Sequence, residues 1–334
     1  MKTIEYIGSF PPPYGGVTVK NDLLYSELSK RIAVDRNTGK NRLICQLKDI
    51  LKILFFKGTL IVGVSASRGK SGFITKLLYK FNRKTMRKSI YFMMGGLEAG
   101  YIADSLNRIK MYSNYARIYV ESATMQECLV NAGVSNCLLF PNCRKRPVSE
   151  YLINKNYEKR LSCVFFSNIQ FVKGVDVVLE VAEKLINIDF YFYGYIDKEI
   201  KEEFIAKCNT LNNVFYKGVF DGKTHDVYEE LRQYDVLLFP TRWKDEGVPG
   251  VLVEGKIAGI AEIVSDTCYN AELISDGTDG VILKENNISC LAEEINKMDS
   301  DREYLQRLKE GSRISAERFY IDNYIEEIID ALKE

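Results

Sequence analysis

Short apolar runs alternate with amphipathic stretches in the first half of the chain. The apolar runs predict β-strands at Thr3–Ser9, Ile32–Arg36, Thr59–Ser65, Ser89–Met94, Arg117–Glu121 and Asn136–Pro141. Helical periodicity separates them, notably at Thr18–Ser29, Arg42–Phe56, Ser71–Phe81 and Ala123–Ala132. Because strands that alternate with helices usually form a parallel sheet covered on both faces, this half predicts an α/β domain.

The same alternation restarts after a polar linker at about Pro147–Arg160. A strand at Ser162–Ser167 opens the second half, which ends in predicted helices at about Ile288–Met298, Asp301–Phe319 and Asp322–Leu332. A chain of 334 residues is long enough for more than one core. We therefore predict two domains, at residues 1–150 and 151–334.

The most informative stretch of the second half is Pro240–Gly259. It follows an apolar strand, Val236–Phe239, and begins with a polar loop that contains Glu246. Pro249 predicts the start of a helix, because proline is tolerated where a helix leaves its first amides unpaired, and Gly259 predicts its end. The helix start suits an anion, and carboxylates suit partners rich in hydroxyl groups.

Several features of this stretch occur together. Glu246 and Glu254 are separated by seven residues that include Gly-Val-Pro-Gly, and Ile263–Asp266 and Ala271–Ile274 follow. This pattern resembles the nucleotide-sugar site of retaining GT-B glycosyltransferases of the family-4 type. The resemblance implies two Rossmann-like α/β domains that face a central cleft. It also implies that the last helix packs back on the N-terminal domain.

The resemblance assigns roles to individual residues. Glu254 would bind the ribose hydroxyls of the donor, and Glu246 would contact the transferred sugar. Lys173 matches the lysine that stabilises the leaving diphosphate. The catalytic pair is therefore Glu246 and Lys173, and the predicted donor-binding residues are Asn168, Gly174, Phe220, Gly247, Val248, Pro249, Gly250 and Glu254. The chain departs from the family at Asn168, where an arginine is usual, and at Met94, where a histidine is usual.

The first half is predicted to form the acceptor side. Its glycine-rich first loop, with Gly15 and Gly16, resembles the loop that lies near the donor phosphates and the acceptor in the family. The segment Gly63–Ser71 resembles a phosphate-binding P-loop, but it has five residues between its glycines where that motif needs four. We therefore place Arg68 and Lys70 on the acceptor-side rim.

Charge is distributed unevenly between the two halves. Residues 1–150 contain 24 Lys and Arg against 10 Asp and Glu, and the remainder contains 22 against 35. The first half therefore favours an anionic partner, such as a membrane surface or a lipid-phosphate acceptor. No nucleic-acid-binding motif accompanies the charge, so we expect no nucleic-acid partner.

Metal and cofactor chemistry find little support in the composition. The chain has one histidine, and its eight cysteines form no Cys-x-x-Cys pair, so we expect no metal and no cofactor besides the nucleotide-sugar substrate. The first residues read as a strand, and no apolar run is long enough to span a bilayer. We expect a cytoplasmic protein that is peripheral at the inner membrane face.

These observations predict a metal-independent, hexosyltransferase-type enzyme that moves a sugar with retention onto a lipid-linked glycan in surface polysaccharide biosynthesis. One alternative is a catalytically degenerate GT-B subunit that acts as a protein-binding partner. Another is a sugar-nucleotide epimerase, which a chain with one histidine disfavours. The nucleobase, the sugar, the acceptor, the linkage and the oligomeric state stay open.

Overall fold

The computed structural model describes residues 3–12, 15–36, 50–51, 53–64, 70–148 and 159–333. It divides the chain into two compact units, which are described separately. Unit 1 comprises Met1–Arg146, Asp245–Val248 and Phe319–Glu334, and unit 2 comprises Pro147–Lys244 and Pro249–Arg318. Element labels number the described helices and strands in chain order.

Unit 1 is built on a six-stranded parallel sheet with the strand order β2-β1-β3-β4-β5-β6. The strands are β1 (Ile4–Gly8), β2 (Asp35–Arg36), β3 (Thr59–Gly63), β4 (Ile90–Phe92), β5 (Arg117–Val120) and β6 (Cys137–Leu139). The order reverses between β1 and β3, so the switch point, where open α/β sheets bind ligands, lies at the carboxyl ends of these two strands.

Helices and the end of the chain complete unit 1. The helices are α1 (Gly16–Ser29), α2 (Lys70–Phe81), α3 (Arg83–Met86), α4 (Glu98–Ala103), α5 (Leu106–Tyr112), α6 (Ala123–Asn131) and, near the C-terminus, α14 (Ile325–Lys333). Ile325, Ile329 and Leu332 of α14 share an apolar core with Leu24 and Leu28 of α1. The last helix is therefore part of the first unit.

Unit 2 contains a second six-stranded parallel sheet, with the order β12-β11-β10-β7-β8-β9. Its strands are β7 (Ser162–Phe166), β8 (Asp189–Tyr193), β9 (Val214–Gly218), β10 (Val236–Phe239), β11 (Ala261–Ser265) and β12 (Val281–Leu283). The switch point lies between β7 and β10. This arrangement confirms the predicted fold class of two Rossmann-like parallel sheets.

The helices of unit 2 connect these strands. They are α7 (Val175–Lys184), α8 (Lys201–Thr210), α9 (Val227–Leu231), α10 (Gly250–Ala258), α11 (Asn270–Leu273), α12 (Ile288–Ser300) and α13 (Arg302–Ser315). Within the described part of the chain, none of the helices combines the length and the apolar character that spanning a bilayer requires.

Some sequence-predicted elements differ from the structure. The strand predicted at Ile32–Arg36 is only the two-residue β2. The helix predicted at Asp301–Phe319 ends at Ser315, and a 3-10 turn, Ala316–Phe319, follows it. Most of the helix predicted at Arg42–Phe56 lies outside the described residues.

A buried charged cluster joins α10 to the strands that follow it. The Lys256 ammonium lies 3.2 Å from a carboxylate oxygen of Glu262 and 3.2 Å from one of Asp279, and all three side chains are buried. Burial raises the pKa of Glu262 to about 8, and Lys256 opposes the rise. The cluster therefore holds a carboxyl group that retains its proton well above the usual range for glutamate.

This pKa shift predicts how stability depends on pH. The folded-state pKa of Glu262 lies above its ordinary value of 4.5. Between these values the folded chain binds a proton that the unfolded chain has released, so stability falls as pH rises through this window. Glu262→Gln removes this contribution, so urea unfolding from about pH 5 to about pH 8 should show the variant gaining stability relative to the native chain.

The matched control is Glu293→Gln, which neutralises an exposed glutamate on α12. The difference in unfolding free energy between this control and the native chain should stay nearly constant over the same pH range. If the unfolding free energy of Glu262→Gln also differed from that of the native chain by a constant amount at every pH, the protonated state of the buried Glu262 carboxyl would be contradicted.

Candidate functional site

The loop after β7 carries three of the predicted site residues: Asn168, Lys173 and Gly174. Asn168 is exposed at its start, and Lys173 ends a short 3-10 turn, Phe171–Lys173. Gly174 follows with a φ of +79°, in the left-handed region, and α7 begins at the next residue. The Ile169 amide donates to the Tyr195 carbonyl at 2.9 Å, which extends the pairing with the loop after β8.

Gly174 allows the loop after β7 to meet the end of β10. A Cβ atom at Gly174 would lie 2.1 Å from the Pro240 carbonyl oxygen, so the two backbones touch. The Arg242 amide donates to the Val172 carbonyl at 2.7 Å across the same contact. Only glycine combines this backbone conformation with so close an approach. The two loops of the switch point are therefore locked together.

Lys173 is buried by this contact, with 6% of its surface exposed. Its ammonium group lies 4.5 Å from the centre of the Trp243 ring and 5.8 Å from that of Phe239. Attraction between a cation and an aromatic face strengthens when water is excluded. The site thus presents a desolvated positive charge at the carboxyl edge of the sheet.

Three side chains hold the loop that carries Trp243. The Asn286 amide donates to the Pro240 carbonyl at 3.0 Å, and the Ser265 hydroxyl donates to the Thr241 carbonyl at 2.6 Å. The Cys268 thiol donates to the Lys244 carbonyl at 2.9 Å. Sequence reasoning missed these residues, because nothing in their local pattern shows which carbonyl oxygens they reach.

Helix α10 follows this loop and carries Glu254. Pro249 is the residue before its first turn, and Gly259 follows its last residue, as the sequence predicted. Glu254 is half-buried in the second turn. The start of α10 bears the partial positive charge of a helix N-terminus, and Gly250 exposes it at the switch point. Glu254 and Lys173 therefore belong to elements that follow adjacent strands.

Phe220 lies after β9. Its ring packs 5.3 Å from the Phe166 ring and 6.3 Å from the Tyr193 ring. These rings form an apolar surface beside the ends of β7, β8 and β9. His225 is exposed, and its Nδ1 lies 2.7 Å from the Thr224 hydroxyl. It has the surroundings of an ordinary surface residue.

The structure places Glu246, Gly247 and Val248 in unit 1, and Pro249, Gly250 and Glu254 in unit 2. The residues predicted to cradle the donor are thus divided between the two units. Gly96 lies against this segment, since a Cβ atom there would sit 2.3 Å from the Glu246 carbonyl oxygen.

Gly15 and Gly16 lie where the chain enters the first helix of unit 1, after β1. Gly15 caps α1, and its amide donates to the Thr18 hydroxyl at 3.0 Å. Gly16 is the first residue of α1. Met94, which stands where the family has histidine, is buried in the core of unit 1. Arg68 and the side chain of Lys70 lie outside the described residues.

Comparison with protein families gives one match, which covers most of unit 2. Residues 152–315 match the model described as Glycosyl transferases group 1. An uncharacterized 41.2 kDa protein in the cps region of Klebsiella pneumoniae is 25% identical over 248 residues, which cover 67% of this chain and 65% of that protein. The poly(glycerol-phosphate) alpha-glucosyltransferase of Bacillus subtilis is 24% identical over 235 residues, which cover 67% of this chain and 33% of that protein. The chain thus spans less than two thirds of the length of both curated relatives.

Solved structures share this fold over the full length of the chain. HepE of Anabaena, crystallised in complex with UDP, has a TM-score of 0.73 at 14% identity, and the match covers 100% of both chains. Sucrose-phosphate synthase from Thermosynechococcus elongatus has a TM-score of 0.75 at 13% identity, covering 100% of this chain and 98% of that one. At these identities the likeness shows the fold, and it confirms the prediction of the GT-B type.

Proposed function

We propose that this chain transfers a sugar from a nucleotide-diphosphate donor to an acceptor hydroxyl, and the match of residues 152–315 to the model described as Glycosyl transferases group 1 supports this proposal. The observation that carries the proposal is the buried Lys173 ammonium beside Trp243 at the switch point of unit 2. A desolvated cation there can stabilise the charge that grows on a leaving diphosphate.

Unit 2 offers a separate group for each part of the donor. Lys173 and the amides at the start of α10 take the diphosphate, and the Glu254 carboxylate accepts hydrogen bonds from the ribose hydroxyls. Phe220 covers one face of the nucleobase. We take uridine as the base to test first, because HepE, which shares this fold, was crystallised with UDP and with UDP-glucose.

Glu246 would contact hydroxyls of the transferred sugar, and transfer would proceed with retention. The departing phosphate would help to deprotonate the acceptor hydroxyl, so the reaction would need no separate protein base. The name of the Bacillus subtilis relative, an alpha-glucosyltransferase, supports an α-linked product. Lys173 and the start of α10 would do the electrostatic work of a metal ion, and we propose a metal-independent reaction.

The acceptor is proposed to be a cell-surface glycan on a lipid carrier. One relative lies in a cps region, and another is named for glucosylation of poly(glycerol-phosphate). Unit 1 adds a surface that fits an anionic membrane. On α2, Phe73 and Phe81 are 51% and 59% exposed, and Lys76 and Lys80 are exposed beside them. We call these four residues the aromatic-basic patch.

Binding of nucleotide sugars tests the donor proposal. Titration with a panel of UDP-, GDP- and ADP-sugars should show one preferred donor and slow hydrolysis of it. Glu254→Ala should weaken binding by about 1–3 kcal/mol, because the ribose hydroxyls lose a charged partner. Calorimetry and release of free sugar are the measurements.

The matched control is Glu293→Ala, which removes an exposed glutamate on α12 and should leave donor binding unchanged. If no donor binds to the native chain, the transferase proposal fails and a degenerate, partner-binding subunit becomes the better account. Binding that is equal for the native chain and Glu254→Ala would remove the assigned role of Glu254.

Vesicle binding tests the membrane proposal. The protein should co-sediment with phosphatidylglycerol vesicles at moderate salt and not with phosphatidylcholine vesicles. Lys76→Glu with Lys80→Glu should weaken binding at least tenfold, because each basic residue near an anionic surface contributes about 1 kcal/mol. Lys198→Glu with Lys201→Glu makes the same charge change at exposed sites in unit 2 and should have a smaller effect. Equal losses for the two pairs would contradict a role for the patch.

A further inference from the structure

The segment Asp245–Val248 is held by the carboxyl ends of three strands of unit 1. Gly96, after β4, lies against the Glu246 carbonyl. Asn142, after β6, donates its side-chain amide to the Val248 carbonyl at 2.8 Å. Glu121, directly after β5, places one carboxylate oxygen 3.9 Å from the position that a Cβ atom on Gly247 would occupy. We call Gly96, Glu121 and Asn142 the seat of this segment.

Glu121 of the seat forms a buried ion pair with Lys20. The Lys20 ammonium, on α1, donates to the other carboxylate oxygen of Glu121 at 2.8 Å. The side chains are only 3% and 8% exposed. Lys20 also lies 5.0 Å from the centre of the Phe140 ring, beside the end of β6. The pair therefore ties the first helix to the end of β5, with one oxygen of Glu121 directed toward the segment.

Asn142 is held by a further buried charge. Arg144 is 7% exposed and donates to the side-chain oxygen of Asn142 at 2.9 Å. This contact turns the amide group of Asn142 toward the Val248 carbonyl. Two buried cations, Lys20 and Arg144, thus fix the two polar side chains of the seat.

Stability alone does not explain the Lys20–Glu121 pair. Removing two charges from water costs free energy that their attraction often fails to recover, and apolar residues of similar size usually serve as well. A buried pair does fix geometry, because each charge accepts few alternative positions without losing its partner. Here the pair fixes the carboxylate of Glu121, whose second oxygen lies next to Gly247, the residue after Glu246.

We propose that Lys20 and Glu121 are positioning residues that hold Glu246 in place for the transferred sugar. The role of Glu246 in this inference rests on the proposed function. The positioning of its backbone rests on the contacts within unit 1. Loss of the pair would loosen the backbone around Gly247 and misplace the Glu246 carboxylate. The protein would still bind the nucleotide part of the donor, because Lys173 and Glu254, which are proposed to hold it, belong to unit 2.

Three variants and one control test the proposal. Lys20→Met removes the cation, and Glu121→Gln keeps the shape of the side chain while removing its charge. Each should lower kcat for transfer or hydrolysis by about 10- to 100-fold, since a misplacement of about 1 Å can cost that much. The affinity for UDP should change less than about twofold, within the scatter expected for independent sites.

The matched control is Lys309→Met, which removes a buried lysine, 3% exposed, from an ion pair with Asp235 at 3.1 Å in unit 2. It should destabilise the fold as much as Lys20→Met does and leave kcat within about twofold of the native value. A third variant, Lys20→Met with Glu121→Leu, replaces the pair by apolar groups. It should recover the lost stability without recovering kcat.

Hydrogen exchange separates this inference from the proposed function. In the ligand-free protein, the amides of Glu246 and Gly247 should exchange about tenfold faster in Lys20→Met and Glu121→Gln, while those of α10 should not change. This readout does not depend on any donor. The inference would be overturned if the Glu246 and Gly247 amides exchanged at the native rate in both variants. It would also be overturned if kcat stayed at the native value, or if the affinity for UDP fell by the same factor as kcat. If the native chain bound none of the UDP-, GDP- and ADP-sugars of the panel, the proposed function would be rejected instead.

Discussion

The close approach of Gly174 to the Pro240 carbonyl is the contact on which the candidate site depends. It brings the loop after β7 against the loop after β10, and by doing so it buries Lys173 under Trp243. Parallel strands that meet at a switch point leave a crevice at their carboxyl ends. In this chain Lys173 and the start of α10 belong to the elements that follow the two strands at the switch point. Both groups favour an anion, so this contact supports the proposal of a diphosphate ligand.

The two units divide the work of the proposed reaction. Unit 2 carries the groups that suit a nucleotide diphosphate, while unit 1 holds Glu246 on a seat formed by the ends of β4, β5 and β6. The chain separates Glu246 from Glu254 by only seven residues, yet the two belong to different units. If Glu246 has its proposed role, unit 1 must hold the backbone of Asp245–Val248 accurately.

Sequence reasoning predicted the features that depend on local pattern. The alternation of strands and helices indicated two parallel sheets, and Pro249 and Gly259 marked the limits of α10. The division of the segment around Glu246 between units, and the buried pair of Lys20 with Glu121, could not be predicted. They join residues about 100 positions apart, and periodicity carries no information on such pairs. The short helices α4 and α5 were also missed, because neither is long enough to show a clear helical period.

Titration with UDP, followed by the emission of the single tryptophan, tests the central claim most directly. Trp243 lies over Lys173, so a diphosphate that binds this ammonium should change the emission in a saturable way. Lys173→Met should weaken UDP binding by about tenfold or more, because a hydrogen bond to a charged group contributes about 1.5–3 kcal/mol. Calorimetry that shows equal UDP affinity for the native chain and Lys173→Met, or no UDP binding at all, would contradict the account.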